Sequence, residues 1–344
     1  MQNTSYQNLI IGFGKAGKTL AGFLAKKGET VALVERSKER YGGTCINVAC
    51  IPSKSLEYSA RLSAAAGGDF AAKAERYRAA IAEKRRLTAM LREKNYAKVT
   101  GTGAVVIDGE ASFVDAHTVR IVGADGEQTV TAEHIFINTG ALPFVPPIEG
   151  AAESTHVYTS ETMMELDALP EKLVIIGGGY IGLEFASYYA NFGSSVAVVQ
   201  DGDAFIPRED REIAERVRTQ MEGRGIHILT GAKILRIEDG AVGANVIVQT
   251  SEGEKVLAAN AILIATGRRP NIAALNLAAA GITVTERGAV AVDEHLRTNV
   301  PHIWAMGDVT GGMQFTYISL DDFRIVKDQL AGSGTRTTAN RGAV

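Results

Sequence analysis

Apolar positions along this chain fall into short runs that end in glycine. Leu9-Ile10-Ile11 leads into Gly12-Phe13-Gly14-Lys15-Ala16-Gly17, and residues 18–27 then follow helical spacing. Gly28-Glu29 turns the chain into another apolar run, 31–34, which stops at Glu35. The pattern predicts a buried strand, a glycine turn, an amphipathic helix and a second strand ending in an acid. The same order returns at Leu173-Val174-Ile175-Ile176, with Gly177-Gly178-Gly179-Tyr180-Ile181-Gly182, a helix over 183–192, Gly193 as its C-cap and a strand over 196–199. Here the terminal residue is Gln200.

Between the two repeats, residues 69–98 are charged, alanine-rich and helical in period. Short alternating stretches at 104–107, 110–114, 118–121 and 128–131, with Gly and Asp between them, predict a small β-meander. Ile135-Phe136-Ile137-Asn138-Thr139-Gly140 and Ile262-Leu263-Ile264-Ala265-Thr266-Gly267 are apolar strands that both end in Thr-Gly, as if each closes one nucleotide-binding unit. Pro143, Pro146 and Pro147 mark a crossing into a second domain, and Arg268-Arg269-Pro270-Asn271 the return. A last strand, Ile303-Trp304-Ala305-Met306, ends in Gly307-Asp308 ahead of a helix from about 316. Residues 332–344 read as a linker.

The glycine turns carry the first chemistry. Glycines let backbone approach a pyrophosphate, a helix N-terminus favours its charge, and a carboxylate at the next strand end accepts from a ribose hydroxyl. Gly12, Gly14, Gly17 and Glu35 fit one dinucleotide, and Gly177, Gly179, Gly182 and Gln200 a second. An acid in place of Gln200 would repel a 2′-phosphate, so Gln200 leaves NADH and NADPH both open. Asp308 at a strand end can accept from a ribityl hydroxyl, although taken alone an ordinary helix cap is the commoner role.

Composition narrows the class. The chain has 344 residues, enough for two domains, with 46% hydrophobic and 22% charged residues. A net charge of −3 gives no case for nucleic acid or an anionic membrane. No apolar stretch approaches the roughly 20 residues of a membrane span. The start of the chain lacks the basic segment of a secretory signal, so a cytoplasmic protein is expected.

Cys45 and Cys50 are the only cysteines, in Gly42-Gly43-Thr44-Cys45-Ile46-Asn47-Val48-Ala49-Cys50-Ile51-Pro52-Ser53-Lys54. Pro52 is a good first helical residue, which would put Cys50 just outside a helix N-terminus where a thiolate is favoured. Two thiols this close can form a small, reducible disulfide. A resident metal is not expected, because a zinc site needs about four ligands and no histidine lies nearby in the sequence. Redox work and simple apolar burial both remain open for the cysteines taken alone.

Together these motifs resemble the pyridine nucleotide–disulfide oxidoreductases, the family of glutathione reductase, dihydrolipoamide dehydrogenase and mercuric reductase. The segments GFGKAGKTLA, IFINTGA, WAMGDVTGG and QFTYISLDDFRIV look most like the reactive-chlorine-resistance flavoproteins (the RclA type), a branch linked with oxidant defence and metal-ion reduction. The resemblance implies an α/β fold of two Rossmann-like domains: a discontinuous FAD domain over 1–150 and 270–344, and an NAD(P) domain over 151–269 inserted in it. It implies FAD and NAD(P)H as cofactors, with Gly43, Thr44, Thr139, Gly140, Gly267, Gly307 and Asp308 among the residues around them. NAD(P)H would pass hydride to the flavin, and the reduced flavin would open a Cys45–Cys50 disulfide. Cys50 matches the flavin-proximal thiolate and Cys45 the thiol that meets the acceptor. Lys54 matches a lysine near flavin N5, Glu184 its ion-pair partner, and Tyr180 the tyrosine that covers the nicotinamide pocket.

The departure lies at the C-terminus. Relatives continue into a dimerisation domain with a His-Pro motif, and none of His117, His134, His156, His227, His295 or His302 sits in such a motif. The expectation is a chain lacking that domain, with a homodimer formed by the full-length protein through it. The function expected is a flavoprotein reductase passing electrons to a small-molecule disulfide or a metal ion such as Cu(II) or Hg(II). An NAD(P)H oxidase or diaphorase with idle cysteines, and a non-catalytic flavin-binding redox sensor, are the competing functions.

Overall fold

A computed structural model describes residues 3–342. The chain divides into two compact units: Met1–Asn47, Thr88–Leu142 and Arg269–Val344 form the first, and Val48–Leu87 with Pro143–Arg268 the second.

The first unit is built on β1 (Asn3–Ile11), which pairs in parallel with β2 (Val31–Glu35) on one side and β6 (Gly126–Ile137) on the other. Beyond β2 lies β3 (Val105–Asp108), also parallel. The strand Ile303–Ala305 pairs in parallel with the end of β6. Both faces of this sheet are covered where residues 9–11, 31–34 and 135–137 lie side by side, so those stretches are continuously apolar rather than alternating. Leu9, Ile11, Val34 and Ile137 face Leu275, Leu277 and Ile282. Ile10, Leu33 and Phe136, one position along, face Leu20 and Leu24 of α1 (Lys15–Lys26) together with Ile325 and Val326. The helix α1 crosses over between β1 and β2, which makes the unit Rossmann-like.

The meander forms from β4 (Glu110–Phe113), β5 (Thr118–Gly123) and the first half of β6, all antiparallel. Residues 104–107 do not join it, since their strand is the parallel edge β3. The runs at 128–131 and 135–137 are one strand of 12 residues, not two. The polar residues between them stay extended because β1 reaches back to Asn3 and pairs with β6 through Thr131 and His134.

Three helices follow the first βαβ segment: α2 (Thr44–Asn47), α3 (Cys50–Ala66) and α4 (Phe70–Thr100). Cys50 is the first residue of α3, not a residue outside it, and Ala49 is the N-cap. Pro52 is therefore the third helical position, where its missing N–H still costs no internal bond.

The second unit carries an all-parallel sheet in the order His227–Leu229, Ser195–Val199, Lys172–Ile176, Ala261–Ile264, Val157–Thr159. One face packs on the Tyr180–Phe192 helix and on Leu56, Ala60, Tyr77 and Ile81 of α3 and α4. That packing places residues 48–87 in this unit, although the sequence assigns them to the N-terminal domain. The other face is covered by a three-stranded antiparallel sheet, Lys233–Asp239, Ala244–Thr250 and Gly253–Ala259, which the sequence pattern did not reveal.

The segment expected as a linker is tied down through residue 341. Arg336 pairs with Asp321 at 2.8 Å and Arg341 with Asp322 at 2.6 Å, two buried carboxylates on the Thr316–Ala331 helix.

Candidate active site

In the first unit, Gly12 turns at φ +105, and a Cβ there would meet the Asn138 carbonyl. A Cβ on Gly17 would meet Gly12 O at 2.7 Å, so the third glycine lets α1 close on β1. Gly14, the N-cap of α1, makes no side-chain cap bond. Ala16 N and Gly17 N donate to Ser319 Oγ at 3.3 Å and Asn138 Oδ1 at 2.9 Å, and the positive end of the helix favours an anion beside the turn. Glu35 ends β2 only 8% exposed. Its Oε2 accepts from Phe13 N at 3.0 Å and its Oε1 from Ser37 N at 3.3 Å. Burial raises its pKa, and those N–H bonds oppose the rise. Thr139 Oγ1 donates to Asn271 O at 2.7 Å, and Gly140 has φ +72. Gly307 has φ +75 and donates its N–H to Asp322 Oδ2 at 2.7 Å, with half-buried Asp308 next in a short 3-10 turn.

The cysteine loop packs directly on this turn. Gly42 and Gly43 both have positive φ, and a Cβ on Gly43 would lie 2.7 Å from Gly14 Cα. Only glycine adopts that backbone freely at such close approach. Thr44 Oγ1 lies near Gly140, 3.7 Å from where a Cβ would stand. Asn47 Nδ2 donates to Tyr41 O at 3.0 Å and Gly43 O at 2.8 Å, and Arg92 Nε donates to Asn47 Oδ1 at 2.8 Å. The loop thus holds half-buried Cys45 on α2 in a fixed place, while Cys50 is exposed at the start of α3.

In the second unit Gly177 repeats Gly12, with φ +112 and a Cβ that would lie 2.5 Å from Ala265 O. A Cβ on Gly182 would strike Gly177 O. Gly179 caps the Tyr180–Phe192 helix without a side-chain bond, and nothing stands within 4 Å of a Cβ on Gly179 or on Gly267. Gln200 Oε1 accepts from Gly178 N at 2.9 Å, as Glu35 does from Phe13. Tyr180 is 55% exposed and donates to Glu209, a bond that raises its pKa. Glu184 Oε1 accepts from Ser53 Oγ at 2.9 Å and forms a close ion pair with Lys54.

Both turns fit the nucleotides that the sequence implies. Each sets a helix N-terminus beside a glycine turn, and each ends its second strand on a hydrogen-bonding side chain with one oxygen turned to the glycine loop. Gly12, Gly14, Gly17, Glu35, Gly43, Thr44, Thr139, Gly140, Gly307 and Asp308 fall in the first unit. Cys50, Lys54, Gly177, Gly179, Tyr180, Gly182, Glu184, Gln200 and Gly267 fall in the second.

Sequence reading assigned no role to Asn138, yet it ties the first site together. Its Oδ1 accepts from Gly17 N at 2.9 Å and its Nδ2 donates to Met306 O at 2.6 Å, which joins α1, β6 and the Ile303–Ala305 strand end. A buried amide closing an apolar strand was the available signal. Arg92, in the middle of a polar helix, gave none.

Comparisons with known proteins agree with this fold. The family described as "Pyridine nucleotide-disulphide oxidoreductase" matches residues 6–322. The chain is similar to the probable pyridine nucleotide-disulfide oxidoreductase RclA of Escherichia coli (strain K12), 47% identical over 98% of this chain and 73% of that protein. It is 32% identical to a mercuric reductase of Staphylococcus aureus, over 96% of this chain and 60% of the relative. Among solved structures, the Cu(II) complex of the HOCl-induced flavoprotein disulfide reductase RclA from Escherichia coli superimposes with a TM-score of 0.92 at 46% identity, covering 99% of this chain and 74% of that one.

Proposed function

This chain belongs to the pyridine nucleotide–disulfide oxidoreductases, which are FAD- and NAD(P)H-dependent flavoprotein reductases, and from that premise we propose that it delivers electrons from NAD(P)H through Cys45 and Cys50 to a disulfide or metal-ion acceptor. The observation that carries this reading is the cysteine loop seated on the first glycine turn, Gly43 against Gly14. A loop built only to bury thiols would not need two left-handed glycines, one of them pressed on a dinucleotide-type turn.

Bound FAD would supply the two-electron relay between nicotinamide and sulfur. The α1 N-terminus and the turn through Gly12, Gly14 and Gly17 would hold its pyrophosphate, and Glu35 a ribose hydroxyl. Thr44, Thr139, Gly140, Gly307 and Asp308 would line the rest of that site. Gly177, Gly179, Gly182, Gln200 and Gly267 would hold NAD(P)H, with Tyr180 as the movable cover. Cys50, at the first position of α3, has its sulfur favoured as thiolate by the helix N-terminus. Glu184 fixes Lys54 and Ser53 one turn further on, so a cation stands in a set place near that thiolate's helix end. Cys45 would meet the acceptor.

Copper and mercury are the first metals to try, because the solved RclA structure is a Cu(II) complex and other relatives are mercuric reductases. Oxidant defence, a cytoplasmic site and a homodimer complete the proposal. Among the described residues no helix is long and apolar enough to cross a membrane.

Anaerobic NADH or NADPH added to the purified yellow protein should bleach the flavin and expose two titratable thiols per chain. Bleaching with no new thiols would favour the diaphorase, and flavin that stays oxidised the sensor.

A further inference from the structure

Lys18 is a cation that the nucleotide reading leaves unused. It lies in the first turns of α1, and its Nζ donates to Gly42 O at 2.8 Å and to Asn95 Oδ1 at 2.7 Å. Asn95 is itself fixed, since its Nδ2 donates to Leu91 O at 2.7 Å within α4. The lysine is therefore held against the backbone of the loop that carries Cys45, three residues after Gly42. Three titratable groups bear on it: Lys15 of its own helix, Lys98 of α4 and Cys45 of α2. Burial first, and then the two lysines, bring its pKa down to about 8 against the opposing pull of the Cys45 sulfur.

A desolvated ammonium with two like charges around it is a costly arrangement unless an anion compensates. Of the groups that act on Lys18, the one able to do so is the sulfur of Cys45. We propose that Lys18 is a positioning residue of the redox loop, whose ammonium holds the Cys45 sulfur as a thiolate while its hydrogen bond to Gly42 fixes the loop. The proposal rests on the reading of Cys45 as the thiol that meets the acceptor. Two electrons entering the Cys45–Cys50 bond leave one pair on each sulfur. A Cys45 that remains a thiolate can give up its pair without first losing a proton.

The test uses the flavin-loaded Cys50→Ser protein, in which Cys45 is the only thiol. Iodoacetamide alkylation of Cys45 is followed by mass across the pH range in which thiols ionise. An opposite charge nearby moves such an ionisation by about one unit or more, so Lys18→Met should raise the pH midpoint of alkylation by about that much and slow the neutral-pH reaction about tenfold. Lys18→Arg, which keeps the charge, should restore most of the rate. Lys18→Gln replaces Lys18→Met if the latter does not load flavin. An unchanged midpoint in the uncharged variant, or an arginine variant as slow as the methionine one, overturns the proposal. Failure of the relay itself is read elsewhere, in acceptor turnover by Cys45→Ser, so the two results are separable.

Discussion

Gln200 stands to its glycine turn as Glu35 stands to its own: each strand-end side chain accepts from the second N–H of the turn, at 2.9 Å from Gly178 and at 3.0 Å from Phe13. The acid in one unit and the amide in the other thus do the same structural work. What differs is the charge left for a bound nucleotide.

That difference bears on the nicotinamide. With its oxygen committed to Gly178, Gln200 turns Nε2 to Asp201 Oδ1 at 3.3 Å, so the negative charge at this strand end belongs to Asp201. A 2′-phosphate would face that carboxylate. NADH should be preferred, and Asp201→Asn should raise kcat/KM for NADPH about tenfold with little change for NADH. Steady-state kinetics with both nucleotides decide it; a parent protein that prefers NADPH counts against the assignment.

Glu35→Gln should weaken the first unit. An amide can accept from Phe13 or Ser37 but not both with two oxygens, and a buried N–H left unpaired costs about 1–3 kcal/mol. The pH dependence has a definite sign. Burial raises the Glu35 pKa in the fold, so its ionised form costs stability above that value and the cost is relieved as pH falls through it. Denaturant melts should show the advantage of the parent over Glu35→Gln growing on acidification from neutral pH. A constant gap would mean that Glu35 does not titrate in this way.

Asn138→Ala removes partners from the Gly17 N–H and the Met306 carbonyl, both buried. A loss of about 2–5 kcal/mol is expected from two stranded polar groups and a cavity. Flavin retention should fall with it. If urea midpoints move by less than a surface substitution would move them, the junction is not the keystone of the first site.

Lys54 is 67% exposed at its side chain, so its pair with Glu184 should contribute well under about 1 kcal/mol to stability. Lys54→Met is therefore expected to melt like the parent yet to slow flavin reduction by NAD(P)H in stopped flow. Equal reduction rates would leave the pair a surface contact.

Much of this was legible in the sequence because glycine turns and strand ends are local. Gly12, Gly177, Glu35, Gln200 and the C-cap Gly193, with φ +105, all sit where short-range rules put them. The helix expected over 69–98 runs from Phe70 to Thr100. Other features depend on partners far along the chain. The joining of 128–131 with 135–137 needs β1 beside it. The outer sheet of the second unit is masked by exposed positions, as in Gly253–Ala259, where one face looks to solvent. Asn138, Lys18 and the Arg336 and Arg341 ion pairs act on residues that no spacing rule connects to them.

Electrons should leave through Cys45. Cys45→Ser protein, loaded with flavin, should still be bleached by NADH, yet its turnover with Cu(II), Hg(II) and glutathione disulfide should fall on the order of a hundredfold for whichever acceptor the parent uses. Undiminished turnover with that acceptor would contradict the relay and leave the two cysteines without a role in the reaction.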